Sequence, residues 1–395
     1  MITVALAGKP NAGKSTFYTA ATMADVDVAN YPFTTIDANR GVAAVRTRCP
    51  CLDRERRCGN DRCHDGIRYV PVELLDVAGL VPGAHEGRGL GNQFLDELTA
   101  ADVVLQVVDA SGGTNAEGEP IEPGSRDPTA DVDFVDEELD AWLAGLVDDN
   151  WERVERKSRS PEFDLEDALT AMLTGVGATE PDVAAVLRDL EYPEDPKRWT
   201  DTNRDRLAQA IRTRTKPMVV VANKADAASE ATLDRLRAGT DKPVVPATAD
   251  GELALRRAAD GGVVGYDPGD DDFDLVGDVS DAQQAGLDAI REVMTLFGGT
   301  GVQSALNAAV YDRLNRITVY PVQDASRWTD GSGTMLPDAF LLPAGSTPRD
   351  LAYAVHTDIG EGYLHAVDAR SSRRIGEDHE LSEGDVVKIV STAGP

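Results

Sequence analysis

The sequence has few aromatic residues, few basic residues and no long hydrophobic run. Among its 395 residues, aromatic side chains make up 5 %, and 39 Lys and Arg stand against 69 Asp and Glu, a formal net charge of −30. So acidic a surface repels phosphate backbones, which argues against a general nucleic-acid coat protein and against specific DNA binding. The acidic residues are spread along the chain, and molar salt shortens the Debye length to about 3 Å. We therefore expect a halophilic protein of a saline cytoplasm.

No apolar segment approaches the roughly 20 residues that a membrane-spanning helix needs. The apolar start, MITVALAG (1–8), has no basic region before it and continues into a Gly-rich loop. We interpret it as a buried strand rather than a signal peptide and expect a cytoplasmic protein without membrane contact. The hydrophobic content of 42 % is enough for packed cores, and the length predicts two or three domains.

Segments with the β-branched, apolar pattern of buried parallel strands alternate with helical stretches such as 14–22 and 91–100. Each strand segment ends in or near Gly, Asp or Asn, which places functional loops at the carboxyl ends of the strands. The alternation predicts an α/β fold with a doubly wound, mostly parallel sheet. The four predicted strand segments are 2–8, 66–77, 101–110 and 216–226.

Two regions depart from this pattern. Residues 131–215 are charged, rich in Leu and Ala and helix-prone, and a Gly-, Pro- and acid-rich linker (115–128) leads into them. We therefore expect residues 116–215 to form an inserted helical pair or a coiled-coil arm. Residues 315–395 combine short strands, turns and one helix, which is typical of a small β-grasp-like domain. The main domain is then predicted to consist of 1–115 and 216–300, with a Cys-rich insertion at 49–64.

The most informative motif directly follows the first predicted strand. Gly8 to Ser15 (GKPNAGKS) fits the pattern G-x-x-x-x-G-K-[ST] between a strand and a helix, the context of a phosphate-binding loop. Backbone N–H groups there surround a β-phosphate, Lys14 would reach the β- and γ-phosphates, and the Ser15 hydroxyl would bind Mg²⁺. The alternative is a chance Gly-rich turn. The predicted phosphate contacts are Asn11, Ala12, Gly13, Lys14, Ser15 and Thr16.

Three further segments at strand ends indicate which nucleotide the chain binds. Asp76 (in DVAG) can hold the Mg²⁺ shell while the Gly79 N–H meets the γ-phosphate. In NKAD, which comprises Asn223, Lys224 and Asp226, the last carboxylate can accept hydrogen bonds from guanine N1–H and N2–H₂, donors that adenine lacks. The pair Thr248 and Ala249 would supply a backbone N–H to the guanine oxygen. Each segment alone is weak, but four in order predict a P-loop NTPase that binds GTP.

The stretches ANYPFTTIDAN (29–39) and DVAGLVPGAHEGRGLGNQFL (76–95) resemble the YchF/Obg-like branch of translation-factor-type GTPases, and the resemblance spans nearly the whole chain. The carboxyl-terminal stretches AYAVHTDIGEGYLHAVDA and EGDVVKIV are similar to a TGS domain. The resemblance implies Mg²⁺-dependent hydrolysis of GTP to GDP, slow in the isolated protein and stimulated by a partner, usually the ribosome or its rRNA. In the TGS domain, Lys388 and the pair Arg373–Arg374 are RNA-contact candidates or plain surface charges.

The motifs above make Lys14 and Gly79 catalytic residues. The resemblance adds Thr35 as the switch threonine on Mg²⁺, with Thr34 as its fallback. Leu80 stands where many GTPases carry a water-orienting glutamine, so a switch backbone group, a partner's residue or K⁺ must position the water. Asn11 resembles the asparagine that coordinates K⁺ in related GTPases, or it only braces the loop. His85, the nearest titratable side chain, is interpreted as a switch-loop residue without a chemical role.

Two alternatives stay open on activity. Many relatives lack the NKxD aspartate and prefer ATP, whereas this sequence keeps NKAD, which favours GTP without excluding ATP. Because Leu80 cannot orient water, the second alternative is a nucleotide-gated adaptor that docks RNA or protein with negligible turnover.

All four cysteines lie in one short stretch, with His64 as a reserve ligand beside them. Four clustered thiols in a chain otherwise without cysteine predict a tetrahedral Zn²⁺ site. Its role would be structural because four protein ligands leave no open position on the metal. The alternative is a redox-sensitive or simply reduced loop. The predicted ligands are Cys49, Cys51, Cys58 and Cys63.

Overall fold

The computed structural model describes residues 1–22, 39–77, 79, 83, 97–190 and 192–392. Four residues discussed above, Thr34, Thr35, Leu80 and His85, lie outside the described residues. Within these ranges the chain forms a seven-stranded sheet flanked by helices, a helical insertion, a two-stranded ribbon and a five-stranded carboxyl-terminal sheet.

The central sheet confirms the predicted α/β fold. Its strand order is β2-β4-β1-β5-β6-β7, with β3 added on β4. Strands β4, β1, β5, β6 and β7 are parallel, and β2, which the sequence patterns did not single out, is antiparallel to β4 over its whole length. The strands are β1 (Thr3–Ala7), β2 (Arg40–Arg48), β3 (Cys63–His64), β4 (Ile67–Asp76), β5 (Val103–Asp109), β6 (Met218–Asn223) and β7 (Val244–Pro246).

Helices cover the sheet because its inner strands are apolar on both faces. Every residue of β5 and β6 is buried, as expected of parallel strands between two helical layers. The covering helices include α1 (Lys14–Thr22), α6 (Glu230–Ala238), α7 (Ala249–Asp260) and α9 (Val302–Asn307), while α8 (Asp281–Phe297) packs against α7. Helix α1 matches the predicted stretch 14–22, and Phe17 on its inner face is fully buried in the main core.

The insertion forms a small helical bundle with its own core. Its helices are α2 (Thr129–Lys157), α3 (Leu165–Leu173), α4 (Glu180–Asp189) and α5 (Asp201–Thr215). The long pair α2 and α5 agrees with the expected helical pair, whereas α3 and α4 are additional. Apolar side chains from all four helices, among them Leu143, Leu169, Val183 and Leu207, are buried together. The limits of this region as a domain, residues 116–215, stay a prediction.

The carboxyl-terminal sheet has the order β11-β10-β14-β12-β13, with the parallel pair β10 and β14 at its centre. It agrees with the β-grasp-like prediction. Its elements are β10 (Arg316–Val322), β11 (Phe340–Pro343), β12 (Tyr363–Asp368), β13 (Arg373–Ile375), β14 (Val386–Ser391), α10 (Pro348–Val355) and α11 (Thr357–Glu361). Strands β8 (Val264–Gly265) and β9 (Asp274–Leu275) form a separate ribbon. No helix in the described ranges is both long and apolar enough to cross a membrane.

Candidate functional site

The loop between β1 and α1 has a backbone that only glycine allows at two points. Gly8 has φ +142° and Gly13 has φ +98°. A Cβ atom on Gly8 would lie 2.2 Å from the carbonyl oxygen of Val107, and one on Gly13 would lie 2.1 Å from Nδ2 of Asn223. Both conformation and space therefore require glycine, which lets the loop turn tightly before the α1 N-terminus.

Lys14 is held inside this loop. Its Nζ donates hydrogen bonds to the carbonyl oxygens of Gly8 and Lys9, both at 3.0 Å, and the residue is buried. Burial lowers the pKa of Lys14 to about 8, although the nearby Asp76 carboxylate opposes the shift. An ammonium group that is bound only to carbonyl oxygens can exchange them for the more negative oxygens of a phosphate.

Ser15 and Asp76 meet at the mouth of the loop. The Ser15 hydroxyl donates to Oδ2 of Asp76 at 2.8 Å, which joins the first turn of α1 to the end of β4. Gly79 approaches the loop as well, because a Cβ atom on it would lie 2.9 Å from Cγ of Pro10. The hydroxyl and carboxylate oxygens are ligands that suit Mg²⁺. The structure thus brings Lys14, Ser15, Asp76 and Gly79 together, as the sequence predicts.

Asn223 and Lys224 connect the nucleotide motifs to each other. Asn223 donates from Nδ2 to the carbonyl oxygen of Ala12 at 2.9 Å and accepts from the backbone N–H of Ala249 at 3.0 Å. Lys224, in a left-handed conformation with φ 58°, donates from Nζ to the carbonyl oxygen of Asn11 at 2.9 Å. The sequence predicted nucleotide contacts for these two residues, and in the structure their side chains brace the loop.

A cavity of about 250 Å³ lies beside the same motifs, where a purine could bind. Asp226 and Thr248 line it on one side, and Ala289, Ile290 and Val293 of α8 line the other. The backbone N–H groups of Thr248 and Ala249 already donate, to the carbonyl oxygen of Thr300 at 2.8 Å and to Oδ1 of Asn223. Neither of these N–H groups is therefore directed into the cavity, whereas the sequence predicted that one of them would donate to the guanine oxygen.

Asn11 is tied to the segment that leads into the helical insertion. Its φ is +59°, and its Nδ2 donates to the carbonyl oxygen of Gly118 at 3.0 Å. This contact agrees with the bracing interpretation of Asn11, while its role toward K⁺ stays a prediction.

Three buried charged residues around the loop, Lys9, Asp109 and Asp131, were not predicted from the sequence. Nζ of Lys9 lies 2.6 Å from Oδ2 of Asp131 in α2 and donates to the carbonyl oxygen of Thr114. Asp109, at the end of β5, accepts from Nζ of Lys224 at 2.9 Å. Burial alone would raise the pKa of Asp109, but hydrogen bonds from Ser111, Lys224 and Thr114 hold it below its usual value. The pairs Lys9–Asp131 and Asp109–Lys224 join residues more than 100 positions apart, so sequence periodicity does not reveal them.

The four cysteines form one cluster, as predicted. Their sulfur atoms all lie within 4.8 Å of one another, with the Sγ atoms of Cys51 and Cys63 3.8 Å apart. A hydrogen bond from Cys63 lowers the pKa of Cys49 to about 5, and burial raises the pKa of Cys51 to about 11. His64 is not among these ligands, because its Nδ1 lies 2.8 Å from Oδ1 of Asp267 and its Nε2 faces the Asp61 carbonyl.

The proposed RNA contacts lie on the carboxyl-terminal sheet. Arg373 and Arg374 are exposed on β13. Lys388 is half-buried on β14 and lines a cavity of about 490 Å³ together with Val322 and Ile359.

Three family models match the chain. They are a 50S ribosome-binding GTPase over residues 3–144, an Obg-like GTPase YGR210-like, G4 motif-containing domain over residues 221–324, and a TGS domain over residues 333–391. The last match lies within the carboxyl-terminal sheet and its helices.

The chain is also similar to known proteins over its whole length. It is 44 % identical to the uncharacterized GTP-binding protein MJ1332 of Methanocaldococcus jannaschii, with all of both chains covered. A ribosome-binding ATPase YchF from Pasteurella multocida is 26 % identical over 97 % of each chain. The crystal structure of a GTP binding protein from Pyrococcus horikoshii OT3 superposes with a TM-score of 0.80 at 37 % identity, covering 99 % of this chain and 100 % of that one.

Proposed function

Because the chain belongs to the YchF/Obg-like family of P-loop GTPases, we propose that it is a Mg²⁺-dependent switch that hydrolyses GTP to GDP and phosphate. One observation carries the proposal: the Ser15 hydroxyl and the Asp76 carboxylate lie 2.8 Å apart beside the buried Lys14 ammonium. Mg²⁺ bound by these oxygens would neutralise charge on the β- and γ-phosphates, and Lys14 would stabilise the charge that develops during transfer. Thr35, with Thr34 as its fallback, would complete the metal shell.

The base we propose is guanine. Asp226 lines the cavity beside the loop, and its carboxylate is the group that two guanine N–H donors require. Relatives are named both as GTP-binding proteins and as ATPases, so their names do not decide the nucleotide. The NKAD motif of this chain supports GTP because adenine would leave the carboxylate without a donor.

Hydrolysis in this proposal depends on a partner. A family model named for 50S ribosome binding matches residues 3–144, a YchF relative is named as ribosome-binding, and the carboxyl-terminal TGS domain provides a second surface. We propose the ribosome or its rRNA in the cytoplasm as that partner. The attacking water would be positioned by a partner group, a switch backbone group, or a K⁺ ion beside Asn11. Zn²⁺ on the four cysteines is the structural cofactor of the proposal.

The test is phosphate release in molar KCl and Mg²⁺, with and without ribosomes from a halophilic archaeon. GTP should displace a labelled guanine nucleotide more effectively than ATP does, and ribosomes should raise turnover of the wild type but not of Lys14→Ala. Turnover that stays at background with ribosomes present would favour the adaptor alternative. Displacement by ATP equal to that by GTP would overturn the choice of base.

A further inference from the structure

The four cysteine sulfurs are close enough together to bind a single metal ion. A tetrahedral site with metal–sulfur bonds of about 2.3 Å has sulfur–sulfur edges of about 3.8 Å. The Sγ atoms of Cys51 and Cys63 are 3.8 Å apart, and none of the six sulfur–sulfur distances exceeds 4.8 Å. All four cysteines are free thiols rather than disulfides. The donor set of four cysteine sulfurs suits Zn²⁺.

These sulfurs lie in residues 49–64, here called the Cys loop, and the loop contacts the carboxyl-terminal sheet. Cys49 and Cys51 are fully buried, although the loop between them and Cys63 is rich in charged residues. Apolar side chains from the carboxyl-terminal part of the chain complete their surroundings. These side chains are Tyr320, Val322, Trp328, Leu336, Ala369 and Val386.

Polar contacts surround this apolar contact. Asn60 of the Cys loop donates from Nδ2 to the carbonyl oxygen of Pro337 at 3.1 Å. Arg54 donates to the carbonyl oxygen of Ser326 at 3.0 Å, and its guanidinium carbon lies 4.0 Å from the centre of the Trp328 ring. The loop is therefore one side of a packed interface between the two sheets.

An ion pair and a buried arginine add to the interface. Asp53 of the Cys loop pairs with Arg370, which follows β12. Arg68, the second residue of β4, is 1 % exposed and donates to the carbonyl oxygen of Leu336.

The paired strands β2 and β4, here called the β2–β4 ribbon, have the Cys loop at one end and the proposed magnesium site at the other. Strands β2 and β4 pair from Arg40 opposite Leu75 to Arg48 opposite Ile67. Cys49 directly follows β2, and Asp76, which binds Ser15, is the last residue of β4. At about 3.4 Å per residue, the ribbon separates the cysteines from Asp76 by roughly 30 Å.

We infer that a Zn²⁺ ion bound by Cys49, Cys51, Cys58 and Cys63 fastens the carboxyl-terminal sheet to the β2–β4 ribbon. Without the metal, the Cys loop has little apolar surface of its own to keep its shape, and the interface with Trp328 and Leu336 loses one of its sides. With the metal, the carboxyl-terminal sheet is attached to the strand that ends at Asp76. The inference rests on the zinc cofactor named in the proposed function and is independent of nucleotide hydrolysis.

Metal content is the first test. Elemental analysis of the full chain, purified in reducing high-salt buffer, should give about one zinc per chain, since the donor set forms one closed tetrahedral site. Cys51→Ser and Cys63→Ser should lose most of it, whereas His64→Ala should keep it, because both His64 nitrogens face other partners. Because the chain has four cysteines in all, thiol titration also reports on this site alone: zinc should protect every thiol. Wild-type protein without zinc, or with iron instead, would overturn the inference.

Hydrogen–deuterium exchange of the full chain is the second test. It distinguishes a zinc ion that fastens the carboxyl-terminal sheet from one that only folds the Cys loop. Removing zinc from the wild type with a mercurial and a chelator should raise exchange in residues 49–64 and also in residues 320–337. Adding Zn²⁺ after excess thiol should reverse both changes. Faster exchange confined to 49–64 would show that zinc folds the loop but does not fasten the sheet.

A variant that keeps the metal provides the matched control. Asn60→Ala with Arg54→Ala removes three hydrogen bonds and the contact of Arg54 with the Trp328 ring from the interface, but no sulfur. It should retain zinc and still raise exchange in residues 326–337. Binding of a guanine nucleotide should be unchanged in this double variant and in Cys51→Ser. If the wild type failed to bind nucleotide, the proposed function would fail while the zinc and exchange results kept their meaning.

Discussion

Asn223 donates a hydrogen bond from its side-chain amide to the carbonyl oxygen of Ala12, so the base-recognition motif is fastened to the phosphate-binding loop. The other end of the same amide accepts from Ala249. One buried side chain therefore joins the phosphate-binding loop to the N-terminus of α7, and we propose that Asn223 positions the phosphate site relative to the base cavity.

Asn223→Ala should weaken GTP and ATP binding together. The substitution leaves the Ala12 carbonyl and the Ala249 N–H without their partner, which costs about 1–3 kcal/mol. At roughly 1.4 kcal/mol per tenfold, this raises Kd by about 5- to 150-fold. Calorimetric titration with both nucleotides measures it. A change in the ratio of the two affinities, with GTP affinity retained, would mean that Asn223 reads the base instead of positioning it.

Asp226→Asn, in contrast, should change the selectivity between nucleotides. The amide keeps one acceptor but loses the carboxylate that two guanine donors need, so GTP binding should weaken by about 1–3 kcal/mol. Xanthosine triphosphate has an oxygen in place of the guanine amino group, and the new amide N–H₂ can donate to it. The variant should therefore bind xanthosine triphosphate better than the wild type does. If the variant lost affinity for GTP and for xanthosine triphosphate equally, the assignment of Asp226 to the base would be contradicted.

Nucleotide binding should take up a proton above about pH 8. Burial lowers the pKa of Lys14 to about 8 in the free protein, and triphosphate oxygens beside the ammonium group raise it again. Binding then requires a proton at high pH, so affinity should fall as the pH rises from 7 to 9. Calorimetry in buffers of different ionisation enthalpy measures the uptake directly. Lys14→Met should abolish the uptake; if it persists there, another group is titrating.

Asp131→Ala should be more destabilising than Lys9→Met. Without Asp131, the Lys9 ammonium stays buried without its ion-pair partner, and breaking a buried pair in this way costs about 3–5 kcal/mol. After Lys9→Met, Asp131 still accepts from Arg126, 3.1 Å away. Denaturant unfolding in high salt gives both free energies. The double variant Lys9→Met with Asp131→Leu should recover much of the loss; an equally unstable double variant would argue against the ion-pair explanation.

The sequence predicted best where a short segment carries the information. Gly8, Lys14 and Ser15 lie within eight residues, and a strand, a turn and a helix in sequence specify their arrangement. The cysteines were also predicted as a cluster, because all four lie within a stretch of 15 residues. Helix α1 likewise agrees with its predicted stretch.

What the sequence did not reveal depends on contacts between distant segments. The pairs Lys9–Asp131 and Asn11–Gly118 join residues more than 100 positions apart, and no periodicity marks them. Strand β2 was missed because its polar residues, Arg46 and Arg48 among them, interrupt the apolar pattern. Thr248 lines the cavity beside Asp226, but the N–H groups of Thr248 and Ala249 bond to Thr300 and Asn223, partners that only the folded chain defines.

Helix α2 begins two residues before Asp131, the partner of Lys9, and continues for 29 residues. At about 1.5 Å per residue, it is roughly 43 Å long, and its first turns pack on the central sheet through Val135 and Leu139. A tilt of about 5° at its root would therefore displace its far end by about 4 Å, the width of an amino-acid side chain. Small rearrangements around a phosphate would thus become displacements large enough for a docked macromolecule to sense.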